Sequence, residues 1–266
     1  MKDKPVTVTD FKRMKRDGIP ITALTAYDSI FAALLDQAGI DLILVGDSLA
    51  NVFQGRTTTI PVTIEEMMYH AEIVARNVKH AFVAVDMPFM SFQINPEDAL
   101  KNAGNMIKKT GCKAVKLEGG IPIKSTIKKI VDTGIPVLAH LGLTPQSIHV
   151  FGGYGVRGRD NHQSLIDEAK AIEEAGAFAV VLEKIPRNLA AEITSTISIP
   201  TIGIGAGNKC DGQILVTPDM LGLNPEFNPK FVRRYADLAE RALEGFKLYC
   251  ANVRSRNFPS EDESYE

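Results

Sequence analysis

The sequences DLILVGDS (residues 41–48) and HAFVAVDMP (residues 80–88) each contain a short apolar run that ends in an aspartate. Continuous apolar runs of this length are typical of parallel strands that are buried on both faces. In a closed barrel of alternating strands and helices, the carboxyl ends of the strands form the rim where active sites lie. We therefore expect Asp47 and Asp86 to lie at the same rim, where two carboxylates suggest a hard metal ion.

Strand-like runs alternate with helix-like segments along the rest of the chain, which is the sequence pattern of repeated βα units. Eight strands favour a closed barrel over an open sheet. The sequence therefore predicts an α/β protein that consists of a single (β/α)8 barrel, known as a TIM barrel. The eight predicted strands are ITALTAYD (21–28), DLILVGD (41–47), AFVAVDMP (81–88), KAVKLEG (113–119), IPVLAHLG (135–142), FAVVLEKIP (178–186), PTIGIGAG (200–207) and QILVTPDM (213–220).

The segments between the strands have the pattern of amphipathic helices. Residues 63–79 and 95–111 have apolar side chains spaced three and four apart, and Thr63 and Asn95 are suitable N-caps. An open doubly wound sheet is the alternative architecture. The glycine-rich segment IGIGAGN (202–208) comes late in the chain, however, whereas a dinucleotide-binding fingerprint would follow the first strand.

The length of 266 residues suits one barrel domain. We predict a barrel over residues 1–255, with a helical segment before its first strand, and a flexible acidic tail over residues 256–266. The chain has 30 basic and 32 acidic residues and a formal charge of -2, so nothing in its charge favours a nucleic-acid or membrane partner.

The amino-terminal sequence and the cysteines suggest a cytoplasmic protein. Residues 1–18 contain no apolar stretch of the kind found in signal peptides. The three cysteines are too few and too scattered for a disulfide framework or a Cys-x-x-Cys metal site. We therefore expect free thiols in a reducing compartment.

Most of the predicted strands end in a polar residue that is available for chemistry. Any one of these residues has a structural alternative, since an acid after a strand often caps the next helix and a histidine is often part of the core. Several together at one rim would be costly to bury unless a cation or a substrate compensated for their charge. The candidates are Asp28, Asp47, Ser48, Asp86, Lys116, Glu118, His140 and Glu183.

Lys116 and Glu118 lie two positions apart on one strand, so both side chains point to the same face. At the rim, a lysine can neutralise a substrate carboxylate or a developing enolate. A glutamate there can bind a metal ion directly or through water. An internal ion pair that only fills the barrel mouth is the alternative.

Several blocks of this sequence, taken in order, resemble the ketopantoate hydroxymethyltransferase family over nearly the whole chain. Each block alone is moderately specific, and their joint order is very specific. They are ALTAYD (23–28), DLILVGDSLANV (41–52), TTTIPVTIEEMMYH (57–70), VDMPFMSFQ (85–93), AVKLEGG (114–120), AHLGLTPQS (139–147), FGGYGVRGR (151–159), VVLEKIP (180–186) and IPTIGIGAGNKCDGQILVTPDMLGL (199–223).

The resemblance implies a (β/α)8 barrel of the phosphoenolpyruvate/pyruvate type. It also implies transfer of a hydroxymethyl group from 5,10-methylenetetrahydrofolate to 3-methyl-2-oxobutanoate, through an enolate stabilised by Mg2+, to form 2-dehydropantoate for pantothenate and coenzyme A synthesis. The expected partners are therefore these small molecules and Mg2+. Members of the family form homodecamers, and we carry that assembly over as an expectation.

The resemblance also implies roles for the residues at the strand ends. Asp47, Asp86 and Glu118 match the metal ligands of the family. Ser48 and Lys116, together with Asp47 and Asp86, match positions that contact the ketoacid. Two further matches are His140, which falls where the family has a histidine on the substrate side, and Glu183, which matches the general base.

Two alternatives remain open from the sequence. One is a metal-dependent lyase or mutase acting on a pyruvate-like enolate, although the cysteine-containing KKCGH loop expected of such relatives is missing. The other is a barrel without catalytic activity. The chain also departs from the usual family pattern at Gly155, where lysine is common, and in the loop from Asn51 to Arg56. Neither departure touches an acid at the predicted rim.

Overall fold

The computed structural model describes residues 4–266, and its central feature is a closed barrel of eight parallel strands. Each strand pairs with the next one along the chain, and β1 pairs with β8 to close the barrel. The predicted barrel is therefore confirmed. The strands are β1 (Ile21–Thr25), β2 (Leu42–Val45), β3 (Phe82–Asp86), β4 (Ala114–Glu118), β5 (Val137–Gly142), β6 (Ala179–Glu183), β7 (Thr201–Ile204) and β8 (Gly212–Leu215).

Helices follow most of the strands and form an outer layer. Short 3-10 turns at Ile121–Ile123 and Pro145–Ser147 begin two of the connections. The helices up to residue 216 are α1 (Val8–Arg16), α2 (Ser29–Gln37), α3 (Leu49–Val52), α4 (Ile64–Arg76), α5 (Pro96–Thr110), α6 (Lys124–Val131), α7 (Ile148–Phe151), α8 (His162–Glu174) and α9 (Arg187–Thr196).

The helix starts and ends follow from local chemistry. The Thr63 side chain accepts a hydrogen bond from the Glu66 N–H at the start of α4, which confirms the predicted cap. Asn95 caps α5 by accepting from the Asp98 N–H. Gly111 ends α5 with a φ of 75°, a left-handed conformation that glycine adopts without a steric penalty.

Contacts between residues group the chain into two compact units, one ending at Val216 and the other spanning Thr217–Glu266. The second unit contains helix α10 (Thr217–Met220), helix α11 (Leu238–Arg254) and a 3-10 turn at Glu261–Glu263. The predicted strand over residues 213–220 is therefore too long, because its last four residues are helical. The predicted division between a barrel and a tail after residue 255 stays a prediction.

Alternate residues of each strand face the inside of the barrel. In β3, Phe82 and Ala84 belong to the interior cluster, whereas Val83 and Val85 pack against the surrounding helices. The period of two therefore places Asp86, the last residue of the strand, on the interior side. The strand pattern alone thus brings a carboxylate to the inner edge of the carboxyl-end rim.

The amino end of the barrel is closed by helix α1. The Phe11 side chain is fully buried and packs against Phe82 and Phe178, with ring centroids 5.4 and 5.7 Å away. The Lys15 ammonium donates hydrogen bonds to the backbone carbonyl of Thr194 and to the Asp211 carboxylate. The interior of the barrel at this end is therefore filled by aromatic rings.

Across residues 4–266, the structure has no helix that is long and apolar enough to cross a membrane.

Candidate active site

The centre of the carboxyl-end rim is the buried ammonium of Lys116. It lies 2.9 Å from Asp86 Oδ1 and 3.5 Å from Glu118 Oε1, and all three side chains are at least 95% buried. Asp86 and Lys116 are direct neighbours because β3 and β4 pair in that register. Lys116 and Glu118 meet because they are two residues apart on one strand, as the sequence predicted.

Asp47 joins this cluster from the turn that follows β2. Its backbone N–H donates to Asp86 Oδ2 over 2.9 Å. The adjacent Gly46 is needed at this point, because a Cβ atom there would lie 2.8 Å from the Ser48 hydroxyl. The absence of a side chain at this position therefore lets the turn place Asp47 and Ser48 together at the rim.

His140, at the rim end of β5, lies between two glutamates. Its Nδ1 is 3.4 Å from Glu118 Oε1, and its Nε2 is 3.3 Å from Glu183 Oε2. Both ring nitrogens are buried and lack a partner with hydrogen-bond geometry among the described residues. The side chain of Glu183 is more exposed than the others, at 16%, so of the two glutamates it is the one nearer to the solvent.

Ser48 is held by Tyr27, which lies just after the end of β1. Its hydroxyl lies 2.8 Å from the phenol oxygen of Tyr27, and either atom can donate. The backbone carbonyl of Tyr27 lies 2.7 Å from Nδ1 of the buried His70. Ser48 therefore has a fixed position beside Asp47 at the edge of the rim.

The charges of this cluster shift its protonation equilibria. Burial, together with Glu118 and Asp86, raises the pKa of Asp47 to about 8. For His140, burial and the Lys116 charge lower the pKa, but the nearby Glu118 and Glu183 outweigh them and raise it to about 9.

Glu118 and Lys116 keep their charges at the rim. Burial opposes the ionisation of Glu118, yet Lys116 and His140 hold its pKa below the usual range. Burial also opposes the charge of Lys116, but Asp86 and Glu118 raise its pKa above the usual value. The ammonium of Lys116 is therefore a permanent cation at neutral pH.

The rim has an excess of negative charge. With every group ionised, four carboxylates and two cations give a net charge of -2, and the charges of Glu118 and Asp86 add to burial, the larger cause, in raising the pKa of Asp47. The groups that carry these charges are Asp47, Asp86, Glu118 and Glu183 against Lys116 and His140.

The donor atoms at the rim suit a divalent cation with a partial set of protein ligands. Asp86 Oδ1 and Glu118 Oε1 are buried and, apart from their ion pairs, have no partner with hydrogen-bond geometry among the described residues, so each keeps lone pairs for a cation. The described residues contain no group of three or more His, Cys, Asp or Glu side chains arranged to hold a metal ion. Mg2+ commonly binds through one or two carboxylates and completes its shell with water and substrate oxygens. The residues therefore fit Mg2+.

Two features of the site differ from what strand ends alone indicate. Asp28 lies outside the cluster's contacts and instead caps helix α2, because its carboxylate accepts from the N–H groups of Ile30 and Phe31. Gln146 was missed, although it is 95% buried and contacts both Asp47 and Glu118. It lies in the 3-10 turn after β5, and a search restricted to the last residue of each strand does not reach it.

The ketopantoate hydroxymethyltransferase family model matches residues 5–261 of this chain. The chain belongs to the ketopantoate hydroxymethyltransferase family. This result confirms the family resemblance and the prediction of a hydroxymethyl-transferring enzyme.

Relatives within the family agree over their full length. The 3-methyl-2-oxobutanoate hydroxymethyltransferase of Prosthecochloris aestuarii is 56% identical over 266 residues, which cover 98% of this chain and 96% of the relative. The enzyme of the same name from Salinibacter ruber is 53% identical over 262 residues, which cover 98% and 99%. The shared length means that the comparison concerns whole chains.

Solved structures of more distant proteins share the fold. A phosphonopyruvate hydrolase in complex with oxalate and Mg2+ is 14% identical, with a TM-score of 0.62, covering 97% of this chain and 93% of that one. A 2,3-dimethylmalate lyase of the PEP mutase/isocitrate lyase superfamily is 15% identical, with a TM-score of 0.60 and coverages of 97% and 91%. These likenesses confirm the predicted (β/α)8 barrel fold.

Proposed function

We propose that this chain transfers a hydroxymethyl group from 5,10-methylenetetrahydrofolate to 3-methyl-2-oxobutanoate and forms 2-dehydropantoate. Family membership and the names of the relatives support the ketoacid as acceptor. The observation that carries the proposal is the line of contacts from Glu183 through His140 to Glu118 and Lys116. It puts a candidate base next to a buried cationic centre, which is what enolate formation requires.

The ketoacid is proposed to bind at the centre of the rim. Lys116 offers a buried positive charge for the carboxylate or the keto oxygen, and Ser48 offers a hydroxyl already oriented by Tyr27. Asp47 and Asp86 border the same space, because the Asp47 N–H donates to the Asp86 carboxylate. The ketoacid would therefore be fixed through its polar end, leaving C3 free to face a base.

Glu183 is the proposed general base. Its carboxylate takes the proton from C3, and the electron pair of that bond forms a C2–C3 double bond while negative charge moves to the C2 oxygen. Lys116 and protonated His140 stabilise this developing charge by attraction in a buried site. The charge of His140 also draws the Glu183 carboxylate toward the interior of the rim.

Asp47, Asp86 and Glu118 are the residues proposed to hold Mg2+. The bound ion supplies a Lewis acid that lowers the cost of removing a proton next to the ketone. The three carboxylates keep a fixed arrangement without it, since Asp86 is bonded to the Asp47 backbone and Glu118 accepts from the Gln146 N–H.

The second half of the reaction makes the new carbon–carbon bond. The methylene carbon is bonded to two nitrogens of the folate. The nucleophilic C3 attacks this carbon while one carbon–nitrogen bond breaks, and the freed nitrogen takes up the proton that Glu183 removed from C3. Water then replaces the second nitrogen: its oxygen becomes the hydroxyl group and its proton goes to that nitrogen, so tetrahydrofolate and 2-dehydropantoate leave. The exposed position of Glu183 relative to Lys116 is consistent with entry of the folate from the solvent side.

The test is proton NMR of 3-methyl-2-oxobutanoate in D2O with purified protein and Mg2+, first without folate and then with 5,10-methylenetetrahydrofolate. We expect loss of the C3 proton signal in the first stage and appearance of 2-dehydropantoate in the second. The two stages separate proton removal from group transfer.

Each other outcome has a definite meaning. Exchange without transfer would leave the enolate chemistry in place, would contradict the folate assignment and would favour a lyase or mutase on a pyruvate-like enolate. Neither exchange nor transfer would contradict the proposal and favour a barrel without catalytic activity. Substitution of EDTA for Mg2+ should abolish exchange.

We also propose a cytoplasmic homodecamer with no nucleic-acid or membrane partner. The near-neutral charge balance of 30 basic and 32 acidic residues supports the absence of a polyanionic partner. Light scattering coupled to size exclusion should give a single species of ten times the monomer mass. A monomeric or dimeric species of full activity would contradict the decamer.

A further inference from the structure

The side chain of Gln146 connects the carboxyl ends of several strands. Its amide Nε2 donates to Asp47 Oδ2 and to the backbone carbonyl of Met87, both over 3.0 Å. Its backbone N–H donates to Glu118 Oε2, also over 3.0 Å. One residue in the turn after β5 thereby contacts the ends of β2, β3 and β4.

The orientation of the Gln146 amide is determined by its partners. The Asp47 carboxylate oxygen at 3.0 Å accepts a hydrogen bond when ionised, and the Met87 carbonyl accepts in every state, so the NH2 group must face them. The amide oxygen on the opposite side accepts from Gln93 Nε2 over 3.0 Å. A flipped amide would place its oxygen against two acceptors and its NH2 group against the amide of Gln93.

We propose that Gln146 is a positioning residue that holds Asp47 in the orientation needed to bind a divalent cation, with Gln93 fixing the Gln146 amide. This inference rests on the proposed function, because it assigns the cation to the rim. The amide engages Asp47 Oδ2, and Asp47 Oδ1 is the oxygen of this carboxylate that we assign to the cation. Loss of a residue that orients a metal ligand through a hydrogen bond typically weakens metal binding 10–100-fold.

Substitution of the Gln146 side chain isolates its effect on Asp47. The hydrogen bond to Glu118 comes from the backbone and survives any replacement except proline. Gln146→Leu keeps a similar size and removes both donors, so Asp47 loses its side-chain partner while Glu118 keeps its own. Any loss of cation affinity then reports on Asp47.

The experiment is calorimetric titration of Mg2+, and of Mn2+ as a second probe, into the full chain in the absence of folate. We expect Gln146→Leu to bind both ions at least tenfold more weakly than the wild type. Ketoacid C3 exchange should recover in this variant as Mg2+ is raised toward saturation. This recovery would separate a change in metal affinity from a loss of the catalytic groups, which excess Mg2+ cannot restore.

Two further variants make the result decisive. Gln93→Leu leaves Gln146 in place and removes only its orienting partner, so a smaller loss of affinity in the same direction is expected. Gln163→Leu is the matched control, since the side chain of this exposed glutamine donates to Asp167 on the same helix, and the variant should bind the ions as the wild type does. If Gln146→Leu does not fold, Gln93→Leu carries the test.

The outcomes distinguish this inference from the proposed function. Wild-type affinity in both Gln146→Leu and Gln93→Leu would overturn the role of Gln146 and leave the proposed function intact. Failure of the wild type itself to bind either ion would contradict the cation assignment and this inference with it. A lowered thermal midpoint with unchanged affinity would show that Gln146 is only structural.

Discussion

At the amino end of the barrel, the rings of Phe11, Phe82 and Phe178 pack with centroid separations of 5.4 to 5.7 Å. At the carboxyl end, buried carboxylates lie around the ammonium of Lys116, and two of their oxygens, Asp86 Oδ1 and Glu118 Oε1, have ion pairs but no partner with hydrogen-bond geometry in the described part of the chain. The same eight strands thus end in apolar packing on one side and in unbalanced charge on the other. Stability and chemistry are separated along the strand axis, so substitutions at the two ends should have different consequences.

Lys116→Met should have the largest effect, because it removes the cation that balances Asp86 and Glu118. Removal of one partner of a buried ion pair typically costs about 3–5 kcal/mol, since the remaining charge is left uncompensated. We expect a lower midpoint in urea unfolding and no measurable C3 exchange in the folded protein. Lys113→Met, just before the other end of β4, is the control, because its ammonium pairs with no carboxylate among residues 4–266 and makes only a long hydrogen bond of 3.4 Å to the Ala81 carbonyl and a contact of 5.7 Å with the Phe82 ring. If Lys113→Met lost as much stability as Lys116→Met, the proposed difference between the two ends of the strand would be contradicted.

Phe11→Ala should reduce stability by about 3–5 kcal/mol, because it leaves a cavity among the rings at the amino end. The rate of C3 exchange per folded molecule should not change, since Phe11 packs against Phe82 and Phe178 at the end of the barrel opposite the rim. Urea unfolding and NMR exchange on the same sample measure the two quantities. Ile19→Ala, at an exposed position, should change stability by less than about 0.5 kcal/mol. Loss of exchange in folded Phe11→Ala would show that the two ends are coupled.

Asp47→Asn should raise the thermal midpoint of the protein without added divalent cations. In the wild type the folded pKa of Asp47, about 8, exceeds its ordinary value of 3.8, so the folded state binds more protons between these values and stability falls as pH rises. The asparagine does not titrate, so the advantage of the variant should grow from pH 5 to pH 8. Each kcal/mol should raise the midpoint by roughly 2–4 °C in a chain of this size. An advantage that shrinks as pH rises would contradict the sign of this shift.

Lys15→Met should have the smallest effect, about 1–3 kcal/mol, because it removes hydrogen bonds to the Thr194 and Ile199 carbonyls and to Asp211. Asp211 keeps its bonds to the Thr201 N–H and hydroxyl, which limits the loss. Thermal unfolding measures the change, and C3 exchange should stay at the wild-type rate. Slower C3 exchange in folded Lys15→Met would contradict the separation of stability at the amino end from chemistry at the carboxyl end.

The residues at the strand ends could be predicted from the sequence because two simple features determine them: the alternation of side chains along a strand and the point where its apolar run ends. The alternation of side chains along β4 places Lys116 and Glu118 on one face, and the position of Asp86 at the end of an apolar run places it at the rim. The family resemblance then supplied roles that the residues alone left open, such as that of Glu183. Those roles stay predictions until the exchange experiments are done.

The contacts of Gln146 could not be predicted in the same way. They depend on a 3-10 turn over Pro145–Ser147, which brings one residue within reach of three other strands. No periodicity in the sequence encodes such a turn. From the sequence, Asp28 could be either a helix cap or a site residue, and its contacts with the first turn of α2 decide for the cap.

The most direct test of the account is C3 proton exchange of 3-methyl-2-oxobutanoate in D2O by Glu183→Gln, in parallel with calorimetric binding of the ketoacid. The amide keeps the size of the side chain but cannot accept the proton. We predict exchange at least about 100-fold slower than in the wild type, with ketoacid affinity retained, since general bases contribute 10²–10⁴-fold. Exchange at the wild-type rate in this variant would contradict the assignment of Glu183 as the base.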